Sequence, residues 1–254
     1  MFPTTIHTNR CLIIPDVHQN IDWVKAILER ELTSETRVVF LGDYFDPRGD
    51  LRLIAGARET ARFFRELQES LADRVTLLIG NHDLPYLEGA PYFFRHRKPP
   101  QLIYPCSGYS VSRGNTIFKE WDREFLLHFS LCAKVNGHLL SHAGIAAPYW
   151  PEAATPEESW ERFGEHCRTV MATFRHHYHP LLGAGISRGG REEVGGLVWQ
   201  DWDDEFTDDL PFPQIVGHTI GPTARRKGRS WCLDGAQSTY GILQDREITI
   251  RSIP

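Results

Sequence analysis

Five short stretches of this chain deliver Asp, Asn or His directly after an apolar run. Asp16-Val17-His18 follows Cys11-Leu12-Ile13-Ile14, and Gly42-Asp43-Tyr44-Phe45-Asp46 follows Val38-Val39-Phe40-Leu41. Gly80-Asn81-His82-Asp83 follows Val75-Thr76-Leu77-Leu78-Ile79. Ser141-His142-Ala143-Gly144 follows Leu139-Leu140, and Gly217-His218-Thr219 follows Ile215-Val216. Carboxylate, amide and imidazole donors suit divalent manganese, iron or zinc. A carboxylate can bridge two such ions through its two oxygens. Two ions about 3.5–4 Å apart can hold a water and both ends of an in-line phosphoryl displacement. An apolar run that ends in a polar turn reads as a buried strand whose carboxyl end faces a crevice, where open α/β sheets place ligands. The pattern therefore predicts a metal site assembled from strand tips.

The intervening segments supply the scaffold. Ile21, Val24, Ile27 and Leu28 recur at helical spacing and predict a helix from Ile21 to Leu32. Phe63, Phe64, Leu67 and Leu71 line the apolar side of another helix, from about Leu51 to Leu71. Strand, loop and helix repeated in this way imply a parallel α/β arrangement. Residues 84–124 are rich in Pro, Tyr, Phe and Arg, show no period, and read as an irregular insertion. Asn136-Gly137 between the apolar runs 125–135 and 138–140 predicts a hairpin, so the architecture becomes mixed there. Thr155-Pro156-Glu157-Glu158 is a capping box opening a helical segment over about 155–180. Residues 182–196, rich in Gly and Arg, read as a mobile loop, and 225–228 as a solvated basic turn. Four strands are expected near the end of the chain: 214–216, 230–233, 240–244 and 247–250, with Asp245-Arg246 turning the last hairpin. No repeat or linker is evident, so residues 1–254 are expected to form one domain.

A net charge of −5 gives no global basic field, hence no strong nucleic-acid signal. There is no apolar run long enough to span a bilayer, and residues 1–7 lack the regions of a signal peptide. The five cysteines form no C-x-x-C pair and read as reduced thiols, several of them buried. These features predict a cytoplasmic protein without membrane partners; nothing in the sequence sets its oligomeric state.

Asp-x-His, Gly-Asp-x-x-Asp, Gly-Asn-His-Asp, Ser-His-Ala-Gly and Gly-His-Thr, in this order, resemble the calcineurin-like metallophosphoesterase superfamily. The likeness is greatest to its bacterial serine/threonine phosphoprotein phosphatase and dinucleoside polyphosphatase branch. Cys232-Leu233-Asp234-Gly235-Ala236 is similar to the late Asp-Thr-Gly segment of those enzymes, and Leu197-Val198-Trp199-Gln200-Asp201 to their Leu-Leu-Trp-Ser-Asp. For Trp199 itself a buried position on a core strand is expected. The resemblance implies a four-layer αββα sandwich of two mixed β-sheets flanked by helices. It also implies a dinuclear site, manganese first, with iron, zinc or nickel as alternatives. Asp16 and His18 would bind one ion, Asp43 both, and Asn81, His142 and His218 the other. His82 would be the general acid, or a charge stabiliser beside the leaving oxygen, with Asp46 orienting it. The implied activity is phosphoester hydrolysis by a metal-bridged hydroxide attacking phosphorus in line. A phosphomonoester, on protein or a small molecule, is the first expectation. A phosphodiester or dinucleoside polyphosphate is the alternative, and a non-catalytic scaffold the rival from another class.

Three departures qualify this. Phosphoprotein phosphatases carry a phosphate-binding Arg where this chain has Pro47, and here Arg comes one residue later. Arg48 either reaches the phosphate from a shifted turn or points to solvent, in which case Arg188, Arg191 or an insertion-loop Arg such as Arg95 is the better clamp; Asn81 would also face substrate. Asp83 stands where Glu is usual, and Ile220 where many cyclic-nucleotide phosphodiesterases place a further His ligand.

Overall fold

A computed structural model describes residues 3–48, 55–95 and 101–253. The strands form two six-stranded sheets. In the first the order is β12 (Glu247–Ser252), β11 (Thr239–Gln244), β2 (Arg10–Ile14), β3 (Arg37–Phe40), β4 (Val75–Leu78) and β5 (Phe129–Ser130). In the second it is β1 (Thr4–Ile6), β6 (Cys132–Val135), β7 (His138–Ser141), β8 (Gln214–Val216), β10 (Ser230–Cys232) and β9 (Arg225–Lys227). Strands β2 to β5 run parallel, and β11 and β12 join antiparallel. In the other sheet β7, β8 and β10 are mutually parallel, while the β6–β7 and β9–β10 pairs are antiparallel. Among the described residues five α-helices accompany them: α1 (Ile21–Glu31), α2 (Ala57–Leu71), α3 (Leu84–Arg95), α4 (Val111–Ile117) and α5 (Pro156–Thr173).

Strand alternation sorts the apolar residues into layers. Cys11, Ile13, Val39 and Leu78 meet Ala133, Val135, Leu140 and Ile215 between the two sheets. Their neighbours Leu12, Ile14, Val38, Phe40 and Leu77 face the other way, packing with Trp23, Val24, Ile27 and Phe64 of α1 and α2. On the opposite outer face Cys132 and Leu139 join Trp160, Phe163 and Cys167 of α5. Two mixed sheets between helical layers are the expected αββα arrangement.

Half of the capping box forms: Thr155 Oγ1 accepts from the Glu158 amide at 3.2 Å, while the Glu158 carboxylate accepts from the Ala154 amide at 3.1 Å, and Pro156 opens α5. Asn136 and Gly137 take left-handed φ values of 47° and 84° in the β6–β7 turn, and Asp245 and Arg246 values of 49° and 69° in the β11–β12 turn. Other expectations are corrected. Residues 84–124 are not wholly irregular but carry α3 and α4; Pro91 lies inside α3 and hid its period. The run 125–135 is not one strand. It makes a 3₁₀ turn at Phe125–His128, pairs as β5 in one sheet, and crosses at Leu131 to the other as β6. Residues 225–227 are an edge strand rather than a solvated turn, with Arg225 Nη1 held by both Asp203 oxygens at 2.9 and 2.8 Å. Helix α2 begins at Ala57, and the start proposed at Leu51 lies outside the described residues. Residues 182–196 are cross-tied by backbone bonds, among them Gly190 N–H to Gly185 O and Ile186 N–H to Glu192 O, both 2.9 Å. No helix among the described residues is long and apolar enough to cross a membrane.

Candidate metal centre

Asp16 follows β2, Asp43 follows β3, and Asn81 follows β4 in one sheet; His142 follows β7 and His218 follows β8 in the other. Because the strands within each set are parallel, all five tips open at the same edge of the sandwich. Close approach there depends on glycine. A Cβ at Gly80 would collide with the Asp43 carboxylate, and one at Gly217 with the Asp16 carboxylate. His18, Asp43, Asp46 and His218 all have positive φ, between 44° and 66°. Such conformations in non-glycine residues cluster at functional sites.

Hydrogen bonds turn the donor atoms inward. His18 Nδ1 lies 2.8 Å from the Asp46 carbonyl and His142 Nδ1 2.9 Å from that of Leu41, so both rings donate from Nδ1 and keep Nε2 free to coordinate. Asp43 Oδ2 lies 3.5 Å from each of those Nε2 atoms. Asn81 Oδ1 lies 2.9 Å from His142 Nε2 and 3.0 Å from His218 Nδ1. Asp16 uses Oδ1 for the His218 amide, at 2.9 Å. Asp16 Oδ2, His18 Nε2, Asp43 Oδ2 and His218 Nε2 are buried with no hydrogen-bond partner. Burial of such groups is costly without compensation. Ligand atoms of Asp16, Asp43 and His142 lie within 4.8 Å of one another. This oxygen and nitrogen donor set fits hard-to-borderline divalent cations. Burial alone would raise the Asp43 carboxyl pKa, but the rings of His142, His82 and His18 and the Arg48 guanidinium hold it well below the usual range.

His82 stands at the rim of the cluster. Its Nδ1 meets Asp46 Oδ2 at 3.0 Å. Asp46 is itself held at Oδ1 by the Tyr86 hydroxyl, at 2.7 Å, and by the Arg113 guanidinium. Burial favours the neutral imidazole, yet the Asp43 charge and the Asp46 bond outweigh it and push the His82 pKa up to about 11. Asp83 is a positioning residue: its carboxylate accepts from the amides of Asp43 at 2.7 Å, Tyr44 at 2.9 Å and Gly80 at 2.9 Å. The shorter acid thus knits the β3 and β4 tips together. Asp83→Ala would strand three buried N–H groups, each costing about 1–3 kcal/mol. A loss of about 3 kcal/mol would lower the melting temperature by about 6–12 °C. An unchanged thermal unfolding curve would contradict that role.

Arg48 turns inward: its Nη2 lies 3.3 Å from His82 Nε2 and its Nη1 3.9 Å from Asp234 Oδ2. Arg188 is tied to Asp201 at 2.7 Å and to Thr219 Oγ1, beside His218, at 2.9 Å. Trp199 is not a buried strand residue. It lies in a turn, half-buried, and meets the His218 ring edge-to-face at 5.7 Å. Tyr86 and Arg113 belong to no motif and lie within the segment read as irregular. Cys106 belongs to none either, and its Sγ accepts from Asn81 Nδ2 at 3.3 Å. Asp234, at the tip of β10, adds a sixth strand end. It is buried, its Oδ2 has no hydrogen-bond partner, and burial together with the Asp16 charge pushes its pKa up to about 8.

Residues 10–222 match the family model for calcineurin-like phosphoesterases. Among solved structures, a cold-active protein-tyrosine phosphatase from a psychrophilic Shewanella species aligns with a TM-score of 0.64 at 17% identity, covering 100% of this chain and 83% of that one. A protein serine/threonine phosphatase from Saccharomyces cerevisiae aligns with a TM-score of 0.57 at 13% identity, covering 99% of this chain and 83% of that one. At such identities the likeness is one of fold. No curated protein sequence matches the chain.

Proposed function

Because the chain belongs to the calcineurin-like phosphoesterase family and is thus a metal-dependent phosphoesterase, we propose that it hydrolyses phosphomonoesters at a dinuclear centre. Asp16 and His18 would hold one ion, Asp43 would serve both, and Asn81, His142 and His218 would hold the other, with manganese the first candidate. Bound ions would supply charge neutralisation on the phosphate and a water acidic enough to act as nucleophile. The remaining work falls to the chain's own groups. His82 gives its proton to the leaving oxygen as the P–O bond breaks, so that ester and water yield alcohol and inorganic phosphate. Asp46 fixes the tautomer and orientation of His82, and Tyr86 and Arg113 hold Asp46 still.

The observation that carries the monoester reading is Arg48, whose guanidinium stands 3.3 Å from His82 Nε2. A monoester presents two negative charges near neutral pH, and a planar guanidinium can meet two of its oxygens at once. A diester, with one charge and two substituents, gains less. Arg48→Ala should therefore lower kcat/KM for phosphomonoesters by about 10–100-fold, the value of a charged hydrogen bond, and for diesters much less. Equal losses on both ester types, or none, would favour the diester or dinucleoside polyphosphate alternative.

A further inference from the structure

A cavity of about 490 Å³ opens beside the metal cluster, and Pro105, Arg188 and Trp199 line its inner wall. Each is linked to a proposed ligand of the second ion. Trp199 meets His218, Arg188 bonds Thr219 next to His218, and Pro105 precedes Cys106, whose sulfur meets Asn81. A larger cavity, of about 740 Å³, lies around His138 and Pro213, at the opposite ends of the strands that carry His142 and His218. Of these two, the smaller is the one placed to receive a group attached to phosphorus; a further cavity of about 90 Å³, lined by His18, Arg48 and Asp234, lies on the cluster itself.

Its outer wall is aromatic and cationic. Tyr104 and Tyr178 stack at 5.5 Å, and the Arg191 guanidinium lies 3.5 Å from the Tyr178 ring centre. Glu192 fixes this pair, accepting from the Tyr178 hydroxyl at 2.7 Å and from Arg191 Nε at 3.2 Å. Asp201 partly answers the charge of Arg188. Flat π surfaces flanked by guanidinium groups match a planar ring and an anion together.

We propose that this cavity holds the leaving-group portion of the substrate, and that this portion carries a planar aromatic ring and a negative charge beyond the scissile phosphate. The inference rests on the phosphoesterase reading and narrows it to a substrate class. A nucleotide with a second phosphate and an aryl phosphate with a carboxylate share that chemistry.

The test compares kcat/KM for esters of alcohols, so that leaving-group acidity stays similar: glycerol 3-phosphate, adenosine 5′-monophosphate and adenosine 3′,5′-bisphosphate. Phosphotyrosine, with glycerol 3-phosphate as the common reference, is the aryl arm. Stacking on an aromatic face contributes about 1–3 kcal/mol, so the bisphosphate should exceed glycerol 3-phosphate by about 10–100-fold; phosphotyrosine, whose phenolate leaves more readily in any case, is read by how far its ratio falls in the variants. Arg191→Gln and Trp199→Leu should each cut the ratio to glycerol 3-phosphate by about tenfold; which arm shows that cut names the source. A ratio near one, or a ratio both variants leave intact, overturns the proposal. If no ester is hydrolysed, 4-nitrophenyl phosphate included, the phosphoesterase reading fails instead. Calorimetric titration with adenosine 3′,5′-bisphosphate and with phosphotyrosine then decides the cavity. Binding of either that Arg191→Gln weakens supports it, and absence of binding, or binding the variant does not change, overturns it.

Discussion

Asp43→Asn is expected to abolish phosphoester hydrolysis and to strip metal from an otherwise folded chain. Asp43 is fully buried, with Oδ2 3.5 Å from both His18 Nε2 and His142 Nε2, one from each sheet. Its Oδ1 accepts from the His82 amide at 2.9 Å. An asparagine fills the same volume but has one oxygen. If that oxygen replaces Oδ2, the amide nitrogen confronts the His82 N–H, donor against donor. If it replaces Oδ1, an –NH₂ group faces the metal position and cannot coordinate. Either rotamer loses what the carboxylate supplies, and the negative charge is gone in both. Elemental analysis after gel filtration should find at most one ion per chain, against two in the unaltered protein. Two tightly held ions with normal turnover would show that Asp43 is not the bridge.

His82→Ala should leave the metals in place and slow the chemical step. The ring belongs to the rim: its Nδ1 is committed to Asp46 and its Nε2 faces Arg48. General acid–base residues contribute typically about 10²–10⁴-fold, so an alkyl phosphate should lose that much in kcat. A nitrophenolate leaving group needs little protonation and should lose less. Asp46→Asn should shift both substrates the same way by a smaller amount, because it disturbs the orientation of His82 and leaves the ring present. Equal losses across leaving groups would remove His82 from the acid role, and loss of metal would make it a ligand.

Much of this site is legible in the sequence because its geometry is local. A buried parallel strand must end in a turn at the sheet edge, so an apolar run followed by Asp, Asn or His gives both the residue and its place. That logic reaches Asp16, Asp43, Asn81, His142 and His218 in one pass, and Asp46 and His82 as their near neighbours. It does not reach groups that enter from elsewhere. Arg113 sits 67 residues from Asp46, on a seven-residue helix with no readable period. Cys106 meets Asn81 across 25 residues, from a segment with no pattern at all. Trp199 reads as core because tryptophan usually is, and only the packing puts it beside His218. The fold shows the same division. Strands that alternate around a core are plain, whereas β1 and β9 are three-residue edge strands specified by their partners rather than by their own residues.

Activity is expected to depend on two ions held by these strand tips. The most direct measurement is a titration of chelator-stripped protein with Mn²⁺, following bound metal and hydrolysis of 4-nitrophenyl phosphate in the same samples. Turnover should be negligible in the stripped chain and full only as a second equivalent binds. Full turnover in the stripped chain, or turnover that saturates at one equivalent, would overturn the two-ion reading.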